Sequence, residues 1–127
     1  LNLSDGILIK DNHLAALRSK GTNLKELVAK VRQNTPSHLK IEVEVESQEE
    51  ALQAVDAGTD IIMLDNMSLG EMHRAVQTVK GRAMLEASGG ITLDNVRAIA
   101  ETGVDFISVG ALTHSPRALD ISLELEQ

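Results

Sequence analysis

The chain alternates short aliphatic segments with longer segments whose apolar residues recur at helical spacing. Residues i and i+2 share one face of a strand, whereas apolar residues at i, i+3, i+4 and i+7 form one face of a helix. By these periods the sequence predicts five strands, at residues 6–10, 40–46, 60–66, 83–90 and 105–112. Each strand is followed by a helical pattern, and the last such pattern covers residues 117–126.

Residues suited to helix N-termini precede the internal helical patterns. Asn23 stands three residues before Glu26, and Thr92 precedes the fourth pattern. Capping boxes, in which a serine is followed three residues later by a glutamate, are predicted at residues 47–50 and 68–71. The regular order of strand and helix predicts a parallel sheet with its helices outside.

Two segments of the chain resemble each other at an offset of 45 residues, "ALQAVDAGTDIIML" at 51–64 and "VRAIAETGVDFISV" at 96–109. Each contains an apolar helix face, a Gly-x-Asp turn and an aliphatic strand. Gly58 and Gly103 are predicted to end helices, and Asp60 and Asp105 to enter the next strands. The sequence leaves duplication and ordinary repeated βα architecture equally open.

The second strand, "KIEVEVE", places glutamates on one face and β-branched residues on the other. A strand buried on both sides of an open sheet does not carry such a row, whereas a barrel has a lumen that can hold polar groups. Polar residues also cluster where strands end, at Lys10, Asp65 and Ser88. The predicted fold class is therefore α/β, an incomplete (β/α) TIM-type barrel of about five parallel βα units.

Five strands cannot close a barrel, which usually needs eight strands and about 250 residues. The chain is therefore expected to be part of a longer enzyme. The other possibility is that its open strand edges pair with another chain.

Composition narrows the class of function. The 127 residues carry a net charge of −7, one phenylalanine, and neither tyrosine nor tryptophan, which argues against nucleic-acid binding. The absence of cysteine excludes disulfides, thiolate nucleophiles and zinc–thiolate sites. No apolar run is long enough to span a membrane and no signal peptide opens the chain, so a cytoplasmic protein without membrane contact is expected.

Lys10, the pair Glu42 and Glu44, and Asp65 are the first candidates for chemistry. Lys10 ends an aliphatic strand, where a lysine serves as a cation, as a Schiff-base amine or as a solvated strand end. Glu42 and Glu44 share a strand face about 7 Å apart, where each raises the pKa of the other unless a cation or Mg²⁺ is present. Asp65 is placed to bind Mg²⁺ or sugar hydroxyls, or to begin a turn.

Two glycine loops follow the last two strands, at 88–90 ("SGG") and at 110–113 ("GALT"). Glycine lets backbone N–H groups approach an anion, and the loops after the last two barrel strands commonly bind phosphate. His114 adjoins the second loop, where it either donates to a phosphate or lies at a surface position or helix cap.

Six motifs in order resemble the C-terminal part of the quinolinate phosphoribosyltransferase family: "LIKDNH", "IEVEVES", "IIMLDN", "LEASGGI", "TGVDFISVGALTHS" and "LDISLEL". The resemblance implies a Mg²⁺-requiring enzyme of NAD biosynthesis. Such an enzyme joins quinolinate to 5-phosphoribosyl-1-pyrophosphate and releases nicotinate mononucleotide, pyrophosphate and CO₂. It also implies a homo-oligomer whose sites are completed across subunits. By the same resemblance, residues 1–127 are the C-terminal portion of an α/β barrel catalytic domain, without the N-terminal domain and the first barrel strands.

The resemblance implies a role for each candidate. Lys10 corresponds to the lysine that contacts the quinolinate carboxylates, and Glu44 and Asp65 to the carboxylates that serve the ribose hydroxyls and the metal. The remaining residues would surround the 5-phosphate, namely Ser88, Gly89, Gly110, Ala111 and His114. The arginines, second lysine and histidine that grip quinolinate and pyrophosphate in the family precede the matched part. The isolated chain is therefore expected to have little or no turnover.

Three other interpretations stay open. The first is an aldolase-like or lyase enzyme with a Schiff base on Lys10, although the carboxylate row and "LDN" then have no natural role. The second is a non-catalytic half-barrel that binds phosphate or assembles with itself. The third is a related protein of molybdenum metabolism that shares the motifs.

Overall fold

The computed structural model describes residues 6–10, 23–109 and 112–114 of the chain. In these residues, strands and helices alternate in the order β1 (Gly6–Ile9), α1 (Leu24–Asn34), β2 (Lys40–Val45), α2 (Gln48–Asp56), β3 (Ile61–Asp65), α3 (Leu69–Val79), β4 (Met84–Ser88), α4 (Val96–Glu101), β5 (Phe106–Val109) and β6 (Leu112–His114). The strands form one sheet in sequence order, in which β1 to β5 are parallel. The predicted α/β fold is thereby confirmed.

The predicted fifth strand, residues 105–112, is wrong in its extent. The structure divides this region into β5 and the antiparallel β6, with Val109 opposite Leu112. Two residues between paired strands suffice for a hairpin but not for a parallel crossover, so the direction of the chain must reverse there. The helix expected after Thr92 begins only at Val96, and the predicted helix at 117–126 lies outside the described residues.

The hydrophobic core lies on one face of the sheet. Ile41, Val43 and Val45, the β-branched residues of β2, are at most 1% exposed and join the helices in a single cluster. The strand order together with right-handed crossovers places every described helix on this same side. The glutamates of β2 consequently point to the opposite face, as the strand alternation predicts.

Side-chain caps define the starts of three helices. Asn23 Oδ1 accepts the Glu26 N–H at 2.8 Å, and Ser68 and Glu71 form the predicted reciprocal capping box. These contacts with Ser68 also hold the pKa of Glu71 below its ordinary value. At α2 the box is incomplete, because the Glu50 carboxylate accepts the N–H of Glu46 rather than that of Ser47.

The two Gly-x-Asp turns perform the same structural task. Asp60 Oδ2 accepts the Ile41 N–H at 2.8 Å, and Asp105 Oδ2 accepts the Leu85 N–H at 2.8 Å. Each aspartate thus fastens the start of its own strand to the preceding strand. Asp60 also forms an ion pair with Arg32 at 3.1 Å. The 45-residue similarity therefore extends to a shared hydrogen-bonding device.

Asp105→Ala is expected to lower the free energy of unfolding by about 1 kcal/mol, the typical net value of one hydrogen bond to a buried backbone donor. Urea unfolding at neutral pH measures the change. Asp56→Ala, at the exposed end of α2, serves as the matched control and should leave stability unchanged or slightly raised, because an acid is unfavourable at a helix C-terminus. Equal losses in both variants would contradict a specific role for the Asp105 carboxylate.

Candidate active site at the carboxyl edge of the sheet

The last residues of β3 and β4 are direct neighbours. Asp65 pairs with Ser88, and the Asn66 N–H donates to the Ser88 carbonyl at 2.8 Å. Asn66 has φ +58°, so the chain turns sharply as it leaves β3. Two of the predicted site residues, Asp65 and Ser88, are therefore held side by side by the sheet itself.

The glycine loop after β4 lies directly against Asp65. Gly89 has φ +79°, and a Cβ atom at this position would stand 2.8 Å from Asp65 Oδ1 and 3.1 Å from the Asn66 backbone nitrogen. Only a residue without a side chain fits between the loop and the carboxylate. Gly89 is thus required for the approach of the loop to Asp65 as well as for its backbone conformation.

The register brings Glu44 to the same face as Asp65. Glu44 is opposite Met63 in the β2–β3 ladder, and Asp65 lies two residues beyond Met63. Because residues two apart share a face, the carboxylates project from one side of neighbouring strand ends. Lys10 directly follows β1 and continues its register in line with Glu44. The predicted convergence of Lys10, Glu44, Asp65 and Ser88 on one edge agrees with this geometry.

Glu86, which the sequence analysis did not single out, forms a buried pair with Glu42. The two residues are 1% and 8% exposed, and their carboxyl groups hydrogen-bond across β3. Burial first, then this hydrogen bond and the charges of Glu86 and Glu44, raise the pKa of Glu42 from 4.5 to about 8. The sequence did contain a signal for Glu86. It is a glutamate between two apolar residues of a predicted strand, two positions before Ser88.

This pair makes stability depend on pH. Between about pH 4.5 and pH 8 the folded chain retains a proton on Glu42 that the unfolded chain releases, so the free energy of unfolding falls as pH rises through that window. Glu42→Gln keeps a hydrogen-bond donor for Glu86 and removes the titration. The variant is expected to be about 1–3 kcal/mol more stable than the parent near pH 9, with a smaller difference near pH 5.

Urea unfolding of both proteins at the two pH values tests this expectation. Glu49→Gln, which alters an exposed acid on α2, controls for the change in net charge. A pH dependence of stability that stays the same after Glu42→Gln would contradict the assignment.

Asn95 is a second residue that the sequence analysis missed. Its Nδ2 donates to the Gly90 carbonyl at 2.8 Å and its Oδ1 accepts the Thr92 N–H at 2.8 Å. Asn95 therefore fastens the glycine loop to the start of α4. A cavity of about 300 Å³ lies behind this loop, lined in part by Met67, Met72 and Gly90. The Thr-x-x-Asn spacing, which suits reciprocal side-chain capping, was the available signal.

The structure gives no side-chain positions for the other residues predicted to bind phosphate. Gly110 and Ala111 lie outside the described residues, and His114 is described only as the backbone partner of Ile107 in β6. Within residues 6–10 and 23–109, no group of three or more histidine or acidic side chains is arranged to hold a metal ion. None of the described helices has the length and apolarity that a membrane span requires.

The chain is similar to proteins of one known family. A family model described as quinolinate phosphoribosyl transferase, C-terminal domain, matches residues 1–124. A rat protein named nicotinate-nucleotide pyrophosphorylase (carboxylating) is 44% identical over 122 residues, which are 94% of this chain and 40% of the rat protein. The chain thus spans about two fifths of the length of this relative.

Solved structures agree in fold. NadC from Streptococcus pyogenes is 40% identical, with a TM-score of 0.75 over 90% of this chain and 40% of that one. An aldolase named QR15 is 24% identical, with a TM-score of 0.64 over 81% of this chain and 53% of that one, a likeness that shows the fold alone.

Proposed function

This chain belongs to the quinolinate phosphoribosyl transferase family, whose C-terminal domain it matches, and we propose that it serves the reaction for which that family is named. A phosphoribosyl group passes from 5-phosphoribosyl-1-pyrophosphate to the ring nitrogen of quinolinate, and CO₂ is then lost. The products are nicotinate mononucleotide, pyrophosphate and CO₂, which makes the reaction a step of NAD biosynthesis.

One observation carries the proposal, namely the meeting of two carboxylates and a glycine loop at the carboxyl edge of the sheet. Asp65 pairs with Ser88, Gly89 lies against Asp65, and Glu44 projects from the same face one strand away. Active sites of α/β barrels lie at this edge. A phosphorylated sugar suits this combination. Its phosphate accepts hydrogen bonds from backbone N–H groups, and its hydroxyls donate hydrogen bonds to carboxylates.

The carboxylates suit the chemistry of ribosyl transfer. As the bond from C1 of the ribose to the pyrophosphate oxygen breaks, C1 becomes cationic before its bond to the ring nitrogen forms. Fixed negative groups such as Glu44 and Asp65 stabilise that cation without reorganisation. When CO₂ leaves, the positively charged ring holds the electron pair until the same carbon takes a proton.

The donor set fits Mg²⁺, which binds proteins through one or two carboxylates and fills its other positions with water and substrate oxygens. Glu44 and Asp65 are the residues that would hold the ion. When bound, it would neutralise the charge of the departing pyrophosphate. The two carboxylates stand on neighbouring strand ends, where a substrate oxygen can approach from the open face.

The glycine loop suits the 5-phosphate. Its backbone takes positive φ values at Gly89 and Gly90, and Asn95 fixes the position of the Gly90 carbonyl. We assign the phosphate to Ser88 and Gly89, and, on the family pattern, also to Gly110, Ala111 and His114. Lys10, in line with Glu44, is assigned to a carboxylate of quinolinate.

The chain itself is expected to bind phosphoribosyl pyrophosphate without steady-state turnover, because it spans two fifths of its relatives. Calorimetric titration with and without Mg²⁺ measures the binding, and chromatographic detection of nicotinate mononucleotide measures turnover. Failure to bind phosphoribosyl pyrophosphate would contradict the proposed site. Steady product formation would contradict only the expected inactivity. If borohydride instead traps a carbonyl substrate on Lys10, that result favours Schiff-base chemistry.

We also propose a domain context, a location and an oligomeric state for the chain. We expect the chain to act as the C-terminal portion of a barrel domain in a cytoplasmic homo-oligomer. Sedimentation of the chain measures its association, and a compact monomer would contradict the expected self-association.

A further inference from the structure

The glycine loop after β4 is held at both of its ends through backbone carbonyls. At its start the Ser88 carbonyl accepts the Asn66 N–H at 2.8 Å, and at its end the Gly90 carbonyl accepts Asn95 Nδ2 at 2.8 Å. The peptide bonds of the described residues are trans, so the N–H of each peptide unit points away from its carbonyl. The N–H of Ile91, which shares a peptide unit with the Gly90 carbonyl, therefore points away from Asn95.

Backbone preference alone does not fix the shape of this loop. Gly89 and Gly90 have φ values of +79° and +68°, and glycine also adopts negative φ values at little cost, so other shapes are accessible. Among the described residues, no backbone carbonyl accepts the N–H of Gly89, Gly90 or Ile91. These donors can meet an anion together only while the loop keeps one shape, and a pair of glycines needs outside contacts to keep it.

The Asn95 side chain supplies such a contact, because its two ends bond to different partners. Its Oδ1 accepts the Thr92 N–H at 2.8 Å while its Nδ2 donates to the Gly90 carbonyl. A backbone N–H only donates and a carbonyl only accepts, so the two contacts define the orientation of the amide. The Asn95 carbonyl also accepts the Ile99 N–H at 3.0 Å, which ties the residue to α4. The end of the loop is thus anchored to a helix.

We propose that Asn95 is a positioning residue of the phosphate site, which holds the Gly90 carbonyl towards α4 and so keeps the neighbouring N–H groups directed at the 5-phosphate. This inference rests on the proposed function, since it takes the glycine loop as the part that binds the phosphate. The role differs from that of Gly89. Gly89 sets how closely the loop approaches Asp65, whereas Asn95 sets the direction of the donors at the end of the loop.

Asn95→Asp separates the two contacts of the amide. The introduced carboxylate can still accept the Thr92 N–H, but it cannot donate to the Gly90 carbonyl and it repels that oxygen. Calorimetric titration with ribose 5-phosphate at 0.15 M salt should show binding at least about tenfold weaker than that of the unsubstituted chain, because the anion loses aligned donors. The NMR residual dipolar coupling of the Ile91 N–H, which reports the direction of that bond, should change in the same variant.

Two variants control for charge and for the structure of the turn. Leu93, which is 46% exposed, becomes an acid of the same turn in Leu93→Glu. Thr92→Val removes the hydroxyl that accepts the Asn95 N–H at 3.3 Å, but keeps the backbone N–H that Asn95 Oδ1 accepts. Because exposed charges are largely screened at this salt concentration, both variants should bind ribose 5-phosphate within about twofold of the unsubstituted chain and keep its Ile91 coupling.

Equal binding of ribose 5-phosphate by the unsubstituted chain and by Asn95→Asp would overturn the positioning role and leave the proposed function intact. An equally large loss in Leu93→Glu or Thr92→Val would also overturn it, because charge or the turn would then explain the effect. No binding by the unsubstituted chain would overturn the proposed function and this inference together. If Asn95→Asp does not fold, Asn95→Ser decides the question by the same titration, since serine keeps a capping oxygen and is too short to reach Gly90.

Discussion

Gly89→Ala is expected to weaken the binding of phosphoribosyl pyrophosphate by about 100-fold. The added carbon would stand 2.8 Å from Asp65 Oδ1 and 3.1 Å from the Asn66 nitrogen. The carboxylate can rotate away, but the Asn66 backbone is held by its hydrogen bond to Ser88. Either response separates the glycine loop from Asp65 and so disrupts the proposed phosphate and ribose contacts together.

Gly81→Ala supplies a closely matched control. Gly81 has φ +78°, almost the same as the +79° of Gly89, but a Cβ atom there would have no neighbour within 4 Å. Both substitutions should therefore cost about 1 kcal/mol of stability through backbone strain. Only Gly89→Ala should alter ligand binding. Calorimetry for binding and urea unfolding for stability separate the two effects, and similar binding by both variants would contradict the proposed site.

Asp65→Asn is expected to reduce Mg²⁺-dependent binding of phosphoribosyl pyrophosphate by about 10–100-fold, while leaving stability nearly unchanged. The amide has the shape of the carboxylate but lacks the charge that attracts a metal ion or a cationic sugar carbon. Titrations with and without Mg²⁺ distinguish these roles. A loss confined to the Mg²⁺ series indicates metal binding, whereas an equal loss in both series indicates contact with the sugar hydroxyls.

Glu44→Gln and the double variant complete a cycle that tests whether the two carboxylates act together. If both bind one ion, the double variant should lose much less than the product of the two single losses. Asp56→Asn, at the far end of α2 from the site, is the charge-matched control. Unaltered binding in Asp65→Asn would contradict the proposed role of this edge.

Much of the fold follows from local patterns. The strict alternation in β2 indicates which face carries acids, and the serine caps at α2 and α3 fix where those helices begin. These features depend on residues a few positions apart, which is why they can be read directly from the chain. The resemblance to the family depends on six motifs in order, and the family model confirms it across residues 1–124.

Contacts between distant residues could not be read in this way. Glu86 meets Glu42 across an intervening strand, and the pair exists only because both point to the face opposite the described helices. Likewise, the hairpin of β5 and β6 was predicted as one strand, since residues 106–112 are mostly apolar and contain no charged residue that marks the reversal. Periodicity specifies the face of a residue but not its partner.

The sequence alone determined the succession of strands and helices, the acidic face of β2 and the glycine after Ser88, because each is set by neighbours along the chain. The tertiary structure decided what those features meet. Strand register placed Asp65 beside Ser88 and Glu44 on their face, close packing left Gly89 no room for a side chain, and burial changed the proton affinity of Glu42. Distances between strands and the exclusion of water arise only when the whole sheet has assembled, so no local pattern contains them.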